Sequence, residues 1–129
     1  AGDGVFGSNS FFFEFARNWS GLCVEPLQAH VEQIRRTRRC EVVHAAACAR
    51  SSASERFIRV EGVQGRSGLA ASFPGQYKQE LSRMPARVTE ESVPCVNVNK
   101  LLAGRGMRRV DLFALDVEGA ELDVLRSLE

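Results

Sequence analysis

The first ten residues, "AGDGVFGSNS", place glycines at positions 2, 4 and 7 in the spacing G-x-G-x-x-G, and Glu25 follows 21 residues after Gly4 at the end of the apolar run "GLCVEP". Glycines so spaced let a backbone turn tightly and come close to a ligand, while the start of the helix beyond them offers unpaired N–H groups to an anion. A carboxylate about 20 residues further on, at the tip of the next strand, suits the vicinal hydroxyls of a ribose. Such a loop closes a β-strand, so the pattern asks for a strand ahead of Ala1 and for an α/β sheet around it. A lone glycine fingerprint is equally compatible with a surface turn, so the rest of the chain has to carry part of the argument.

The remaining elements alternate. Ser8 or Ser10 can cap a helix running to about Arg17, with Phe12, Phe15 and Ala16 on a core-facing side. "GLCVEP" is a short buried strand stopped by a proline that cannot continue a ladder. Leu27, Val31 and Ile34 mark an amphipathic helix from 27 to 39, whose basic end "RRTRR" reads as a solvated cluster complementing the helix dipole. "CEVVHAAAC" is the next strand, and "ERFIRVEG" alternates like a half-exposed one. Residues 62 to 92 are rich in Gly, Ser and charge and read as a long loop or lid insertion. "VPCVNVNKLLAGRG" is a strand followed by a helix that glycine stops, and Val110 to Leu115 form a strand leading into the acidic turn "DVEGAE" and a last helix. Strands alternating with helices predict an α/β fold with a doubly wound, mostly parallel sheet of Rossmann-like type. Residues 1–129 read as one partial domain that lacks its first strand and its C-terminal strands.

Charge and cysteine usage narrow the function classes. Seventeen Lys and Arg against sixteen Asp and Glu leave a net charge of +1, which gives no footprint for nucleic acid or an anionic membrane, so a soluble partner is expected. No apolar run approaches the ~20 residues of a membrane span, and no signal-peptide pattern opens the chain, so a cytoplasmic protein is the default expectation. Nothing in the sequence sets an oligomeric state. Cys23, Cys40, Cys48 and Cys95 show no C-x-x-C pair and lie mostly in apolar stretches, which predicts reduced core thiols.

Two acids stand out. Asp116 is placed at the carboxyl end of a strand, where open α/β sheets hold ligands, and Glu118 lies two residues on, facing the same side in extended backbone. Glu121 reads as a helix-dipole partner, and His44, inside a strand, more readily as a satisfied core histidine than as a catalytic base. A metal-dependent hydrolase would need a third nearby carboxylate that the sequence does not offer, so no metal site is expected. A nicotinamide-dependent oxidoreductase shares the glycine fingerprint, but the chain contains no Tyr-x-x-x-Lys proton-transfer pair. A truncated, non-catalytic binding module is the remaining alternative.

Taken together, "AGDGVFGSNS", "LCVEP" and "VDLFALDVEGAELDVL" resemble the FkbM family of S-adenosylmethionine-dependent methyltransferases, over nearly the whole chain. Asp3 stands where that family usually has Asn. The resemblance implies that Gly2, Asp3 and Gly4 approach the methionine part of S-adenosylmethionine, that Glu25 beside Pro26 holds its ribose, and that Ala46 and Ala47 border its adenine. It implies further that Asp116 and Glu118 flank the cofactor's amino group or the acceptor hydroxyl of a small molecule; their strand-end position makes either one a candidate catalytic base. The family is associated with O-methylation of hydroxyls on sugars and natural products.

Overall fold

In the computed structural model, residues 1–62, 66–73, 75, 79–80, 83 and 87–128 are described. The elements run α1 (Phe11–Arg17), β1 (Leu22–Glu25), α2 (Gln28–Thr37), β2 (Glu41–His44), β3 (Ala46–Cys48), β4 (Ser52–Glu61), β5 (Gly68–Leu69), β6 (Arg87–Asn97), α3 (Val98–Ala103) and α4 (Glu121–Arg126). The fold is α/β with mixed sheets.

β1 and β2 form a parallel pair, in register from Leu22 opposite Glu41 to Glu25 opposite His44. Parallel neighbours need a crossover, and α2 supplies it, packing against both strands with Val31 and Ile34 fully buried. The second sheet has the order β3-β6-β4-β5, with β3 parallel to β6 and β4 antiparallel to both its neighbours. The run expected as one strand, "CEVVHAAAC", is therefore two. Ala45 donates to the carbonyls of Val43 and Glu25, which turns the chain out of the first ladder and into the second. β4 is buried on both faces: Phe57 joins Leu27, Ala46, Val93 and Cys95 on one side, whereas Ile58 and Val60 pack with Phe73 on the other. A third cluster of Ala47, Val98 and Val124, with Leu115 and Val117 against it, seats α3, α4 and the acidic turn on β3.

Several expectations are corrected. Within the expected loop at 62–92, Gly68–Leu69 and residues 87–92 are strand; the reading of 63–65, 74, 76–78, 81–82 and 84–86 as loop or lid lies outside the described residues. The outer half of β6 escapes a hydrophobic pattern because its exposed face is held by cross-strand polar pairs, notably Arg56 in two-pronged contact with Glu90. The expected strand Val110 to Leu115 forms no ladder, because among the described strands none runs alongside it, and Val110, Leu112 and Phe113 stay exposed. On α1 the buried side chain is Glu14, while Phe12 and Phe15 face outward.

The cysteines are not free thiols. Cys23 bonds to Cys40 and Cys48 to Cys95, with Cα atoms 6.3 and 5.6 Å apart, inside the span a disulfide bridges. Sheet pairing brings them together: Cys95 faces Ala46 across the ladder, so Cys48, two residues along, lies diagonally opposite it on the same face. Among the described residues no helix is long and apolar enough to cross a membrane.

Candidate functional site

A cavity of about 550 Å3 opens between β1, the glycine-rich loop and the segment 109–118. Gly2, Glu25, Pro26, Ala46, Ala47, Asp116 and Glu118 all line it; Asp3, Gly4 and His44 do not. Seven of the nine residues expected to bind cofactor or act on the acceptor thus share one space, while Asp3 and Gly4 lie outside it.

Asp3 closes the loop on itself, its Oδ1 accepting from the N–H groups of Val5 and Phe6 at 2.9 and 2.8 Å. Gly4 is there for packing. Its φ is +82°, and a Cβ would stand 2.9 Å from Ile34 Cγ1 and 3.2 Å from Arg38 Cγ, so only glycine lets the loop lie on α2. Gly4→Ala is expected to cost roughly 2 kcal/mol or more, from the left-handed backbone and the overlap with α2 together, read as a lower denaturant midpoint.

What fixes this loop to the end of α2 is Arg38, expected from its sequence context to lie in a solvated cluster. Its guanidinium is buried and donates to the Gly4 carbonyl (2.7 Å), Ser8 Oγ (3.0 Å), Ser10 Oγ (3.1 Å) and Glu14 Oε2 (3.0 Å). Ser10 sits at the N-cap of α1 without capping it, because its hydroxyl is turned to Arg38. Glu14 Oε1 accepts from the Arg39 N–H at 2.6 Å, and the Arg39 side chain donates to the Glu14 carbonyl. Burial alone would raise the Glu14 carboxyl, but the Arg39 N–H and the Arg38 guanidinium outweigh it and hold the group below the usual glutamate range.

Glu25 is 4% exposed at the tip of β1. Oε2 accepts from the Ala1 ammonium (2.9 Å) and the Gly2 N–H (3.0 Å), and Oε1 from the Leu27 N–H (3.1 Å), with His30 Nδ1 at 3.4 Å. Burial pushes its carboxyl up; His30, the ammonium and the Leu27 N–H together bring it below the ordinary value. His30 is a cavity residue that the sequence reading missed. It sits in the first turn of α2, five residues past Glu25, and that proximity was its only signal. His44 instead contacts the Pro26 carbonyl through Nε2 at 2.9 Å, which braces the turn after β1 from outside the cavity.

Across the cavity, the acidic turn is built by Glu121, whose carboxylate accepts from the N–H groups of Val117 and Gly119, both at 3.0 Å. That is a capping role. Burial raises the Glu121 carboxyl, and the N–H groups of the turn outweigh it and hold the group low. The turn leaves Glu118 at φ +52°, a left-handed conformation uncommon for a residue with a side chain. Burial first, then the charges of Asp116 and Glu121, raise the Glu118 carboxyl, with Arg66 opposing them. Glu118 is half-buried, whereas Asp116 two residues before it is exposed. Among the described residues no group of three or more His, Cys, Asp or Glu could hold a metal ion.

A family model described as the Methyltransferase FkbM domain matches residues 1–129, the whole chain. No curated protein and no solved structure matches it.

Proposed function

Because the chain belongs to the FkbM methyltransferase family, we propose that it is an S-adenosylmethionine-dependent methyltransferase domain acting on a hydroxyl of a sugar or small natural product. The observation that carries this reading is the single cavity that gathers Gly2 from the glycine-rich loop, the Glu25 carboxylate and the Asp116–Glu118 turn. Its volume of about 550 Å3 lies within the range of about 300–1,000 Å3 usual for small-molecule sites.

The donor set fits the cofactor's chemistry. Glu25 would hold the ribose hydroxyls, while Pro26 sets the turn beside it. Ala46 and Ala47 offer an apolar border to a purine. The acidic turn suits a cationic sulfonium and its amino group better than a pyrophosphate, which argues against a nicotinamide cofactor. Once bound, S-adenosylmethionine supplies a methyl group already activated by positive sulfur, so the protein's task is alignment and proton removal. Glu118, or Asp116 beside it, would accept the proton of the acceptor hydroxyl as its oxygen attacks.

The doubly wound parallel sheet belongs to the same reading. Among the described residues β1 pairs with β2 alone, and its other edge lines the same cavity as the unladdered 110–115.

The test is calorimetric titration of S-adenosylhomocysteine into the folded protein. Glu25→Ala is expected to weaken binding at least tenfold, a loss of about 1.4 kcal/mol, with NADH unable to compete. A folded protein that binds neither ligand overturns the reading in favour of a non-catalytic binding module.

A further inference from the structure

The short strand β5 touches the acidic turn. A Cβ at Gly68 would stand 3.2 Å from Glu118 Cβ, 3.3 Å from the Glu118 carbonyl oxygen and 3.5 Å from Phe73 Cδ2, so a side chain there would push the turn back by a few tenths of an ångström. The segment is tied down on both sides of the contact. Ser67 Oγ accepts from the Val60 N–H of β4 at 3.0 Å, and Leu69 pairs with Phe57 in the ladder. Ser67 and Leu69 share the cavity wall with Asp116 and Glu118. Arg66, just ahead, is held by Glu80 at 2.7 Å.

We propose that residues 66–69 are a positioning element for Glu118: Gly68 seats the left-handed backbone of the turn, and Arg66 supplies the counter-charge acting on its carboxyl. This rests on the reading of Glu118 as the group that takes the acceptor's proton. The charges acting on Glu118 are Asp116 and Glu121 from its own turn and Arg66, two residues ahead of the Gly68 that touches it, with Glu80 paired to Arg66. Burial and the two acids favour the protonated form, and among the described residues Arg66 favours the ionised one. A base works only when ionised. Removing Arg66 therefore raises the titration of Glu118 and moves the acidic limb of the pH–rate profile to higher pH.

The experiment compares Arg66→Gln, Arg66→Lys and Glu80→Gln by 13C NMR titration of the Glu118 carboxyl in ligand-free protein. It adds pH profiles of methyl transfer to whichever hydroxylated acceptor a screen identifies. The expected result is an upward shift in Arg66→Gln, restored in Arg66→Lys and absent in Glu80→Gln, with the acidic limb moving in step. Gly68→Ala should lower kcat about tenfold with KM for the cofactor nearly unchanged, because it displaces the turn by only a few tenths of an ångström. An unchanged Glu118 titration in Arg66→Gln, or an equal shift in Glu80→Gln, overturns the proposal. A shifted titration in a protein that transfers no methyl group at any pH upholds the positioning and overturns the proton-acceptor role.

Discussion

Replacing Arg38 by alanine is expected to destabilise the domain by about 3–5 kcal/mol, the cost of removing one partner from a buried ion pair. The size follows from what is stranded. Glu14 stays buried without its guanidinium, and the Gly4 carbonyl and the hydroxyls of Ser8 and Ser10 lose the donor they share. Against a total stability of about 5–15 kcal/mol for a domain, that is a large fraction. Arg38→Lys should recover little, since one ammonium cannot reach four acceptors held in the fork of a guanidinium. The double variant Glu14→Gln, Arg38→Met should lose less than the sum of its single changes, because neither charge is then left alone. pH adds an independent check. The Glu14 carboxyl is lowered by folding, so its contribution is present above the unfolded value and lost as pH falls through the folded one. Wild type should lose stability over that acid window, and Glu14→Gln should lose correspondingly less, as measured by denaturant midpoints across pH.

The same cluster marks where the sequence stops being legible. Elements with a local period were readable: α2 from Leu27, Val31 and Ile34, β1 from its apolar run, α3 from the glycine that ends it. The site was legible for a related reason. Glu25, Asp116 and Glu118 sit at the ends of apolar segments, and connections between such ends gather on one side of an α/β fold. Polar groups satisfied at long range left no local trace. Arg38 reaches back 34 residues to Gly4, and the outer half of β6 is held to β4 by Arg56 and Glu90 across 34 residues. A hydrophobic pattern shows which face is dry, not which charge will find a partner. Val110 to Leu115 failed in the opposite sense: its composition is that of a strand, but a ladder requires a neighbour, and composition cannot provide one.

The second large effect is expected from reduction of the two disulfides. The Cys23–Cys40 bridge closes 17 residues and the Cys48–Cys95 bridge 47. In the chain-entropy account, loops of those lengths contribute about 3 and about 4 kcal/mol by restricting the unfolded chain. The two sites should respond differently in the folded state. Cys48 and Cys95 lie within the cluster of Phe57, Val93 and Leu27, where a reduced thiol behaves as a small apolar group and the packing survives. Cys23 and Cys40 join the start of the β1–β2 pair beside the cavity, so their loss loosens the strand that presents Glu25. Unfolding in denaturant with and without reductant should therefore show a lower midpoint in reductant, with Cys48→Ala, Cys95→Ala reproducing the larger share. Cys23→Ser, Cys40→Ser should reproduce the smaller share together with weakened S-adenosylhomocysteine binding. Protein made in a reducing cytoplasm, where thiols are kept reduced, should resemble the reduced form until it is oxidised. Four alkylatable cysteines in native, non-reduced protein, with a midpoint indifferent to reductant, would remove the bridges from the account and return the cysteines to core thiols.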